Sequence, residues 1–250
     1  MKKVLLSVMV FLAAVVAAAP AAHAVVNLDA RYWFTSLDST VMLSSGSTAG
    51  TEFDFVDDLG LDENKGFLEG RITLELGSHK LRYGFVPLKW DGSKTLDRNI
   101  TFGGQTFTAT TQVDSELTVN YHRLGYEYDI IDTLENRLGV IFELKYLDGE
   151  ASLDAAGASE TESFRLPIPT VGVAAQVGLP FLFSVGGEVT GVTLGANAYL
   201  VDGEAAINLK PAPFVVISGG YRILKVHAEK DLDRGDITVQ GPFVNLRADF

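Results

Sequence analysis

The sequence predicts an all-β protein, a single closed antiparallel barrel whose strands cross a membrane. Many segments alternate apolar and polar residues with a period of two, and the last of them ends the chain at Phe250. These segments run for about ten residues or more, the length of a tilted membrane-spanning strand. Because alternate side chains of a strand point to opposite faces, each segment has one apolar and one polar face.

The segment 137–146 illustrates the alternation. Phe142 and Leu144 fall on its apolar face, and Glu143 and Lys145 fall on the polar face. A soluble β-sandwich also alternates, but its strands are usually about five or six residues long. The longer segments favour a membrane barrel with the apolar faces toward lipid, and the soluble β-protein remains the alternative.

Ten strands are predicted, and eight is the alternative count. The predicted strands are 26–37, 66–77, 80–91, 113–129, 136–150, 162–177, 181–192, 197–209, 214–228 and 237–250. Their connections alternate between tight turns (77–79, 131–135, 178–180, 210–213) and longer links (38–65, 92–112, 151–161, 229–236). This pattern is typical of barrels with short periplasmic turns and longer outward loops. An even number of strands predicts that both termini lie on the periplasmic side.

The first residues predict export. Two lysines precede an apolar run over 4–19, and Ala22 and Ala24 form an A-x-A cleavage site. The run is short of the roughly 20 residues that a membrane-spanning helix needs. Residues 1–24 are therefore predicted to be a signal peptide cut before Val25, which leaves 25–250 as one barrel domain.

The composition excludes some partners. The chain has 20 Lys and Arg against 32 Asp and Glu, a net charge of −12, and no Cys. Loss of Lys2 and Lys3 with the signal peptide gives 18 − 32 = −14. Such acidity argues against nucleic acid as a partner, because phosphate binding needs a basic face. Without disulfides, stability must come from burial and hydrogen bonds.

The C-terminus carries a resemblance to a known class of protein. Val244, Leu246, Ala248 and Phe250 place apolar residues at alternate positions before a terminal aromatic. This tail resembles the C-terminal targeting signal of Gram-negative outer-membrane proteins, which implies handling by the barrel-assembly machinery. The resemblance also implies outer-membrane lipid as the surroundings of the mature chain.

The whole chain resembles small outer-membrane barrels of the opacity-protein, outer-membrane protein W and outer-membrane protein A types. The resemblance rests on the signal peptide, the hairpin rhythm, the 219–222 sequence Gly-Gly-Tyr-Arg and the 241–243 sequence Gly-Pro-Phe. Barrels of these types differ in activity, so the architecture does not specify a function.

The polar strand faces predict a lumen that contains charges of both signs. The predicted inward residues are Glu69, Arg71, Glu75, Arg82, Arg137, Glu143, Lys145, Glu188, Asp202, Glu204, Arg222, Arg247 and Asp249. Opposite charges held away from water should pair, and a barrel of about eight strands has an interior filled by side chains. Both a structural plug and a selective path for ions or small solutes fit this pattern. The plug is favoured and predicts poor conductance, which rises near pH 4 as the acids are protonated.

The histidines offer little for catalysis. His79 follows Ser78 at a predicted turn on the periplasmic side, the wrong end for a barrel lipase, whose base must reach a nucleophilic Ser. His122 lies where the alternation of the fourth strand changes phase, which predicts a β-bulge with His122 in the bulge or the lumen.

His227 is the remaining candidate, for a protease of the omptin kind. It precedes Asp231, Asp233 and Asp236, which could supply an Asp-His pair. A solvated acidic loop is the favoured interpretation of these residues.

No catalytic residue, metal site or cofactor site is predicted. The acidic segment 54–63 lacks the spacing of a calcium loop, and no Gly-rich phosphate loop is present. Three classes of function stay open: a structural or surface-interaction barrel, which is favoured, a narrow channel for small or apolar solutes, and a barrel enzyme acting on lipid or peptide.

Overall fold

The computed structural model describes residues 24–45, 50–133, 136–195, 197–230 and 232–250. It is all-β, and the prediction of a ten-stranded closed antiparallel barrel is confirmed. The predicted signal peptide lies outside the described residues, apart from Ala24. Among the described residues, there is no helix long and apolar enough to cross a membrane.

Twelve strands are numbered in chain order. They are β1 (Val25–Met42), β2 (Asn64–Leu76), β3 (His79–Thr95), β4 (Ile100–Phe102), β5 (Gln105–Phe107), β6 (Gln112–Asp132), β7 (Asn136–Ala155), β8 (Ala158–Gly178), β9 (Phe183–Thr193), β10 (Ala198–Ala212), β11 (Val215–Lys230) and β12 (Asp233–Asp249). β4 and β5 form a separate hairpin, and the others form the barrel in the order β1-β12-β11-β10-β9-β8-β7-β6-β3-β2.

Antiparallel pairing of β1 with β12 and β2 closes the barrel. Beyond the last ladder pair, the backbones of Val26 and Phe250 exchange hydrogen bonds of 2.9 and 3.0 Å. Val25 and Phe250 therefore lie at one end, the turn end, together with the β2–β3, β6–β7, β8–β9 and β10–β11 connections. The opposite end, where β1 joins β2 and β3 joins β6, is the loop end.

The outer surface near the turn end is apolar. On β7, Phe142 is 57% exposed whereas the neighbouring Glu143 is 5% exposed. Exposed Leu, Ile, Val, Phe and Tyr side chains form the same surface on the other strands. This apolar belt is the lipid-facing band of a transmembrane barrel, and it is the reverse of the apolar interior that the soluble alternative requires.

Several strands extend well past the apolar belt toward the loop end, and here the predicted links were partly wrong. β7 and β8 continue to Ala155 and Ala158, so the predicted long link 151–161 is a tight turn. β11 and β12 likewise meet near Lys230 and Asp233, in place of a link over 229–236. In this loop-end extension the outer faces are polar and the inner faces are apolar, because water surrounds the outside and a core fills the inside.

The same reversal explains β6, where the predicted bulge at His122 was wrong. The register runs unbroken from Phe85 through His122 to Tyr146, and the only register shift of β6 lies between Asp129 and Ile131. His122 faces outward, and its ring lies 4.7 Å from that of Phe85. The alternation changes phase because the strand leaves the apolar belt, while its backbone continues regularly.

Trp33 and Trp90 face the interior and are almost fully buried. Trp33 Nε1 donates a hydrogen bond to the carbonyl oxygen of Gly241 at 3.2 Å. Gly241 is required at this place, since a Cβ there would lie 1.8 Å from the carbonyl oxygen of Phe34.

Candidate functional site: the filled lumen

The turn-end half of the lumen holds twelve charged side chains joined by ion pairs, which we call the central ion network. Six acids and six bases belong to it: Glu69, Glu127, Glu143, Glu188, Asp202 and Glu204, and Arg31, Arg71, Arg82, Arg123, Lys145 and Arg222. They come from eight of the ten barrel strands, all except β8 and β12. The formal charges of these twelve groups balance, and Arg137 lies 3.7 Å from Glu127 at the edge of the network.

Glu204 on β10 receives two guanidinium groups from the other side of the barrel. Arg31 on β1 donates to both of its carboxylate oxygens at 2.7 and 2.8 Å, and Arg71 on β2 does the same at 2.8 and 3.1 Å. Bidentate arginine–carboxylate pairs have a fixed geometry. These bonds cross the lumen, so the side chains occupy the path along the barrel axis.

Glu188 on β9 lies between two further arginines. Arg123 Nη2 donates to Glu188 at 2.7 Å, and Arg82 forms a second pair with the same carboxylate. Arg123 Nε also donates to Glu143 at 3.0 Å. Lys145, which is fully buried, lies 2.5 Å from Glu143 and 2.9 Å from Asp202. Each buried charge therefore has a partner of opposite sign, which burial demands.

Other charged pairs lie closer to the turn end. Lys80 lies 2.7 Å from Asp129 and 3.8 Å from Glu75. A second pair joins Arg247 to Asp249 at 3.0 Å. A cavity of about 140 Å³ lies between these groups and the central ion network.

Nine of the thirteen charged residues predicted for the lumen lie in the central ion network: Glu69, Arg71, Arg82, Glu143, Lys145, Glu188, Asp202, Glu204 and Arg222. The other four lie nearer the turn end, where Arg137 is 3.7 Å from Glu127 and Glu75 accepts a hydrogen bond from Asn27. The prediction did not include six inward charged residues: Arg31, Lys80, Arg123, Glu127, Asp129 and Asp29. For the three of these on β6, strand parity could have shown that they face inward. Arg123, Glu127 and Asp129 alternate there with the outward Leu124, Tyr126 and Tyr128.

An aromatic layer separates the central ion network from the rest of the interior. Tyr121 donates its hydroxyl to Asp202 at 2.8 Å. The guanidinium of Arg222 lies 4.7 Å from the ring of Trp33, and that of Arg31 lies 3.8 Å from the ring of Phe243. Arginine stacks favourably on aromatic faces, so these rings contact the ions on one side and apolar residues on the other.

The loop-end half of the interior is an apolar core. Inward residues of the barrel strands such as Leu88, Leu117 and Leu153 are almost fully buried in it. The two long connections, residues 50–63 and 96–111, fold into this half, and we call them together the loop plug. The loop plug contributes these buried residues: Phe53, Phe55, Leu59, Leu61, Leu96, Ile100, Phe102 and Phe107. The lumen is thus filled by ion pairs in its turn-end half and by an apolar core in its loop-end half.

Polar contacts hold the loop plug in place. Ser39 on β1 donates its hydroxyl to Asp54 at 3.0 Å, and Asp54 also accepts the backbone N–H groups of Val56 and Asp57. Arg98 joins the two connections, because it donates to Asp58 at 2.8 Å and to the carbonyl oxygen of Glu52 at 2.7 Å. The acidic segment 54–63 is thus partly occupied by hydrogen bonds within the protein. No group of three or more metal-ligating side chains occurs among the described residues.

His227 and Asp236 form a pair on the outer face of the loop-end extension. His227 Nδ1 lies 2.6 Å from Asp236, and the ring of Tyr199 stacks on His227 at 5.1 Å. Partial burial favours the neutral acid, but the hydrogen bonds from His227 and Arg234 outweigh it and lower the pKa of Asp236. Asp231 lies outside the described residues, and Asp233 accepts the backbone N–H of Ser44 at 2.8 Å. This Asp-His pair faces outward and does not open on the lumen.

A solved structure with a similar fold is that of an outer-membrane protein. The outer membrane protease OmpT of Escherichia coli matches with a TM-score of 0.57 and 12% sequence identity, over 90% of this chain and 97% of that one. The chain has the fold of a small Gram-negative outer-membrane β-barrel. The attachment invasion locus protein Ail of Yersinia pestis matches at 12% identity over 91% of this chain and 99% of that one, with a TM-score of 0.39. The toluene transporter TodX of Pseudomonas putida matches at 8% identity over 92% and 90%, with a TM-score of 0.33.

At 12% identity the likeness to OmpT concerns the fold alone. No protein-family model matches the sequence, and no curated protein matches it.

Proposed function

We propose that this protein is a closed outer-membrane barrel with a structural or surface-interaction role. The observation that supports this proposal is the filled lumen, in which the central ion network and the apolar core occupy successive parts of one path. Two barriers of different chemistry in series oppose the passage of both ions and apolar solutes. The predicted signal peptide and C-terminal tail support export and assembly by the barrel-assembly machinery, with outer-membrane lipid around the apolar belt.

In this proposal the loop-end extension is exposed at the cell surface, and the termini lie on the periplasmic side. Its outer faces are rich in acids, among them Asp38 on β1, Asp91 on β3, Glu116 on β6 and Glu150 on β7. Some are paired, as Glu116 is with Lys89 at 2.7 Å. An acidic surface favours partners that carry positive charge and disfavours nucleic acid.

Single-channel recording in planar bilayers tests the proposal against the channel alternative. We expect the protein at pH 7 to show closed or small, irregular conductance. We also expect acidification to pH 4 to leave it small, because the apolar core does not titrate. This differs from the expectation that the charged lumen alone suggested. A large and steady conductance at pH 7 would contradict the proposal and favour a channel.

A matched variant separates the two barriers. Leu96 and Thr111 lie at the neck of the β4–β5 segment, where Leu96 N donates to Thr111 O at 2.9 Å and Thr110 N donates to Leu96 O at 2.8 Å. Replacement of residues 97–110 by Asn-Gly therefore closes this neck with a tight turn and removes Ile100, Phe102 and Phe107 from the core. We expect this variant to conduct more at pH 4 than at pH 7, because only the titratable barrier then remains intact.

We further propose that the barrel is not an enzyme. OmpT, whose fold is similar, is a protease. Because an Asp-His pair could serve a protease, the His227–Asp236 pair is the group to test. Its position on the outer face, stacked on Tyr199, supports a structural role. Lipase and peptidase assays on the protein and on His227→Ala and His122→Ala variants test this: turnover that either substitution abolishes would overturn it.

A further inference from the structure

Pairing in the barrel wall stops early between β8 and β9. The two strands pair from Gly178 and Ser184 up to Val171 and Gly191. β8 continues beyond this point to Ala158, paired only with β7. β9 also continues, to Thr193, paired with β10. The wall therefore contains a seam above Val171, where β8 runs on past Val192 and Thr193, the last two residues of β9, without pairing with them.

Two prolines account for the seam. Pro167 and Pro169 on β8 lie opposite Tyr146 and Leu144 on β7. Because proline has no N–H and both remain in the β7 ladder, the missing donors are those that would face β9. Proline in a central strand removes ladder hydrogen bonds, and proline on an exposed edge also blocks the addition of a further strand. The sequence thus keeps the seam open.

The seam is lined by apolar side chains from both sides of the wall. A groove of about 910 Å³ extends over the outer faces of β3, β6 and β7 and ends at the start of the seam, beside Pro169. Its lining there includes the outward Leu144, Val171 and Val201 and the inward Val192 and Leu200. Val171 is 61% exposed. On the open part of β8, Leu166 faces inward and is nevertheless 41% exposed, because no strand covers it on the β9 side.

We propose that this seam is a lateral binding notch for one hydrocarbon chain of a bilayer lipid. The groove is continuous with the apolar belt, which lipid acyl chains cover. These acyl chains can therefore also reach the notch. Its lining is mostly apolar, and Pro169 presents no N–H group to it, so fewer unpaired polar groups face an acyl chain there. At its inner end lies Leu200, a member of the apolar core. A bound chain would therefore join the lipid phase to the core, without opening the lumen.

Quenching by lipids brominated on their acyl chains tests the notch, because bromine quenches tryptophan on contact. The probe is Val192→Trp, which faces inward beside the seam. The matched control is Val226→Trp, which also faces inward and is half-buried at the loop end, on β11 away from the seam. Val201→Trp faces lipid and gives full quenching, and the native Trp33 and Trp90, both buried inside, give the unquenched background.

We expect Val192→Trp to be quenched nearly as strongly as Val201→Trp, and Val226→Trp to stay near the background. Equal and weak quenching of Val192→Trp and Val226→Trp would overturn the proposal. Protection of Val192→Trp together with a cross-linked dimer would also overturn it and would assign the seam to a second copy. Conductance is a separate measurement, so failure of the notch leaves the plugged lumen untouched.

A smaller substitution keeps the test independent of how tryptophan packs. The chain has no Cys, so Val192→Cys and Val226→Cys provide single thiols. In vesicles, an apolar maleimide that partitions into the bilayer should label Val192→Cys several-fold faster than Val226→Cys. Equal rates in correctly folded protein would count against the notch.

Discussion

Arg222 on β11 donates two parallel hydrogen bonds to Asp202 on β10, from Nε to Oδ1 at 3.0 Å and from Nη2 to Oδ2 at 2.9 Å. Its third nitrogen, Nη1, donates to Glu69 on β2 at 2.9 Å. One buried guanidinium on β11 thus connects the adjacent strand β10 with β2, which lies in another part of the wall.

Replacement of Arg222 by Ala should be the most damaging single change in the central ion network. It leaves Asp202 and Glu69 buried with fewer partners, and breaking a buried pair costs about 3–5 kcal/mol. Lys210→Ala is the control, because Lys210 pairs with Asp249 at 3.2 Å in an exposed position, where ion pairs contribute about 0–1 kcal/mol. Urea unfolding in lipid vesicles measures both. Equal losses for the two variants would show that the network does not stabilise the barrel.

Arginine substitutions on the outer face of β7 should locate the edge of the apolar belt. Phe142→Arg places a charge in lipid and should destabilise the barrel by about 2–4 kcal/mol near the midplane. Glu150→Arg changes an exposed residue of the same strand and face, beyond the belt, and should cost little. The unfolding free energy of each variant measures the contrast. If Glu150→Arg were the more harmful, the membrane would have to lie around the loop-end extension.

Deletion of Phe250 should impair assembly more than stability. The side chain of Phe250 is 74% exposed, so it contributes little to packing within the chain. Its resemblance to a targeting signal predicts that the truncated protein accumulates in the periplasm. Phe250→Tyr keeps a terminal aromatic and should assemble. Heat-modifiable mobility and membrane fractionation measure the outcome, and normal outer-membrane yield of the truncated chain would refute this interpretation of the tail.

Acid should loosen the loop plug through Asp58. Burial raises the pKa of Asp58, but the hydrogen bond and charge of Arg98 outweigh it and lower the pKa below its ordinary value of 3.8. A lowered folded-state pKa gives stability that is present above 3.8 and is lost as the pH falls through the lowered value. Hydrogen exchange of residues 50–63, corrected for intrinsic rates, should therefore rise at low pH. In Arg98→Ala it should already be raised at pH 7 and depend less on pH.

Within the apolar belt, much of the fold could be predicted from residue order. The parity of Phe142 and Glu143 gave the correct faces, because a strand exposes alternate residues whatever its neighbours are. The loop-end extension could not be read in the same way. There the apolar residues of β6, such as Leu117 and Tyr121, turn inward, and this reversal mimicked a bulge at His122.

What the sequence alone determined was local: the strands, their alternation and a lumen with charges of both signs. The tertiary structure decided which of these groups meet. Arg31 and Glu204 are 173 residues apart and pair only because closure of the barrel brings β1 within three places of β10 in the wall. The loop plug and the seam beside Pro169 also depend on contacts between distant segments. All of these contacts escape prediction from sequence for the same physical reason. Strand register and barrel closure fix the distances across the lumen, and no periodic pattern along the chain encodes those distances.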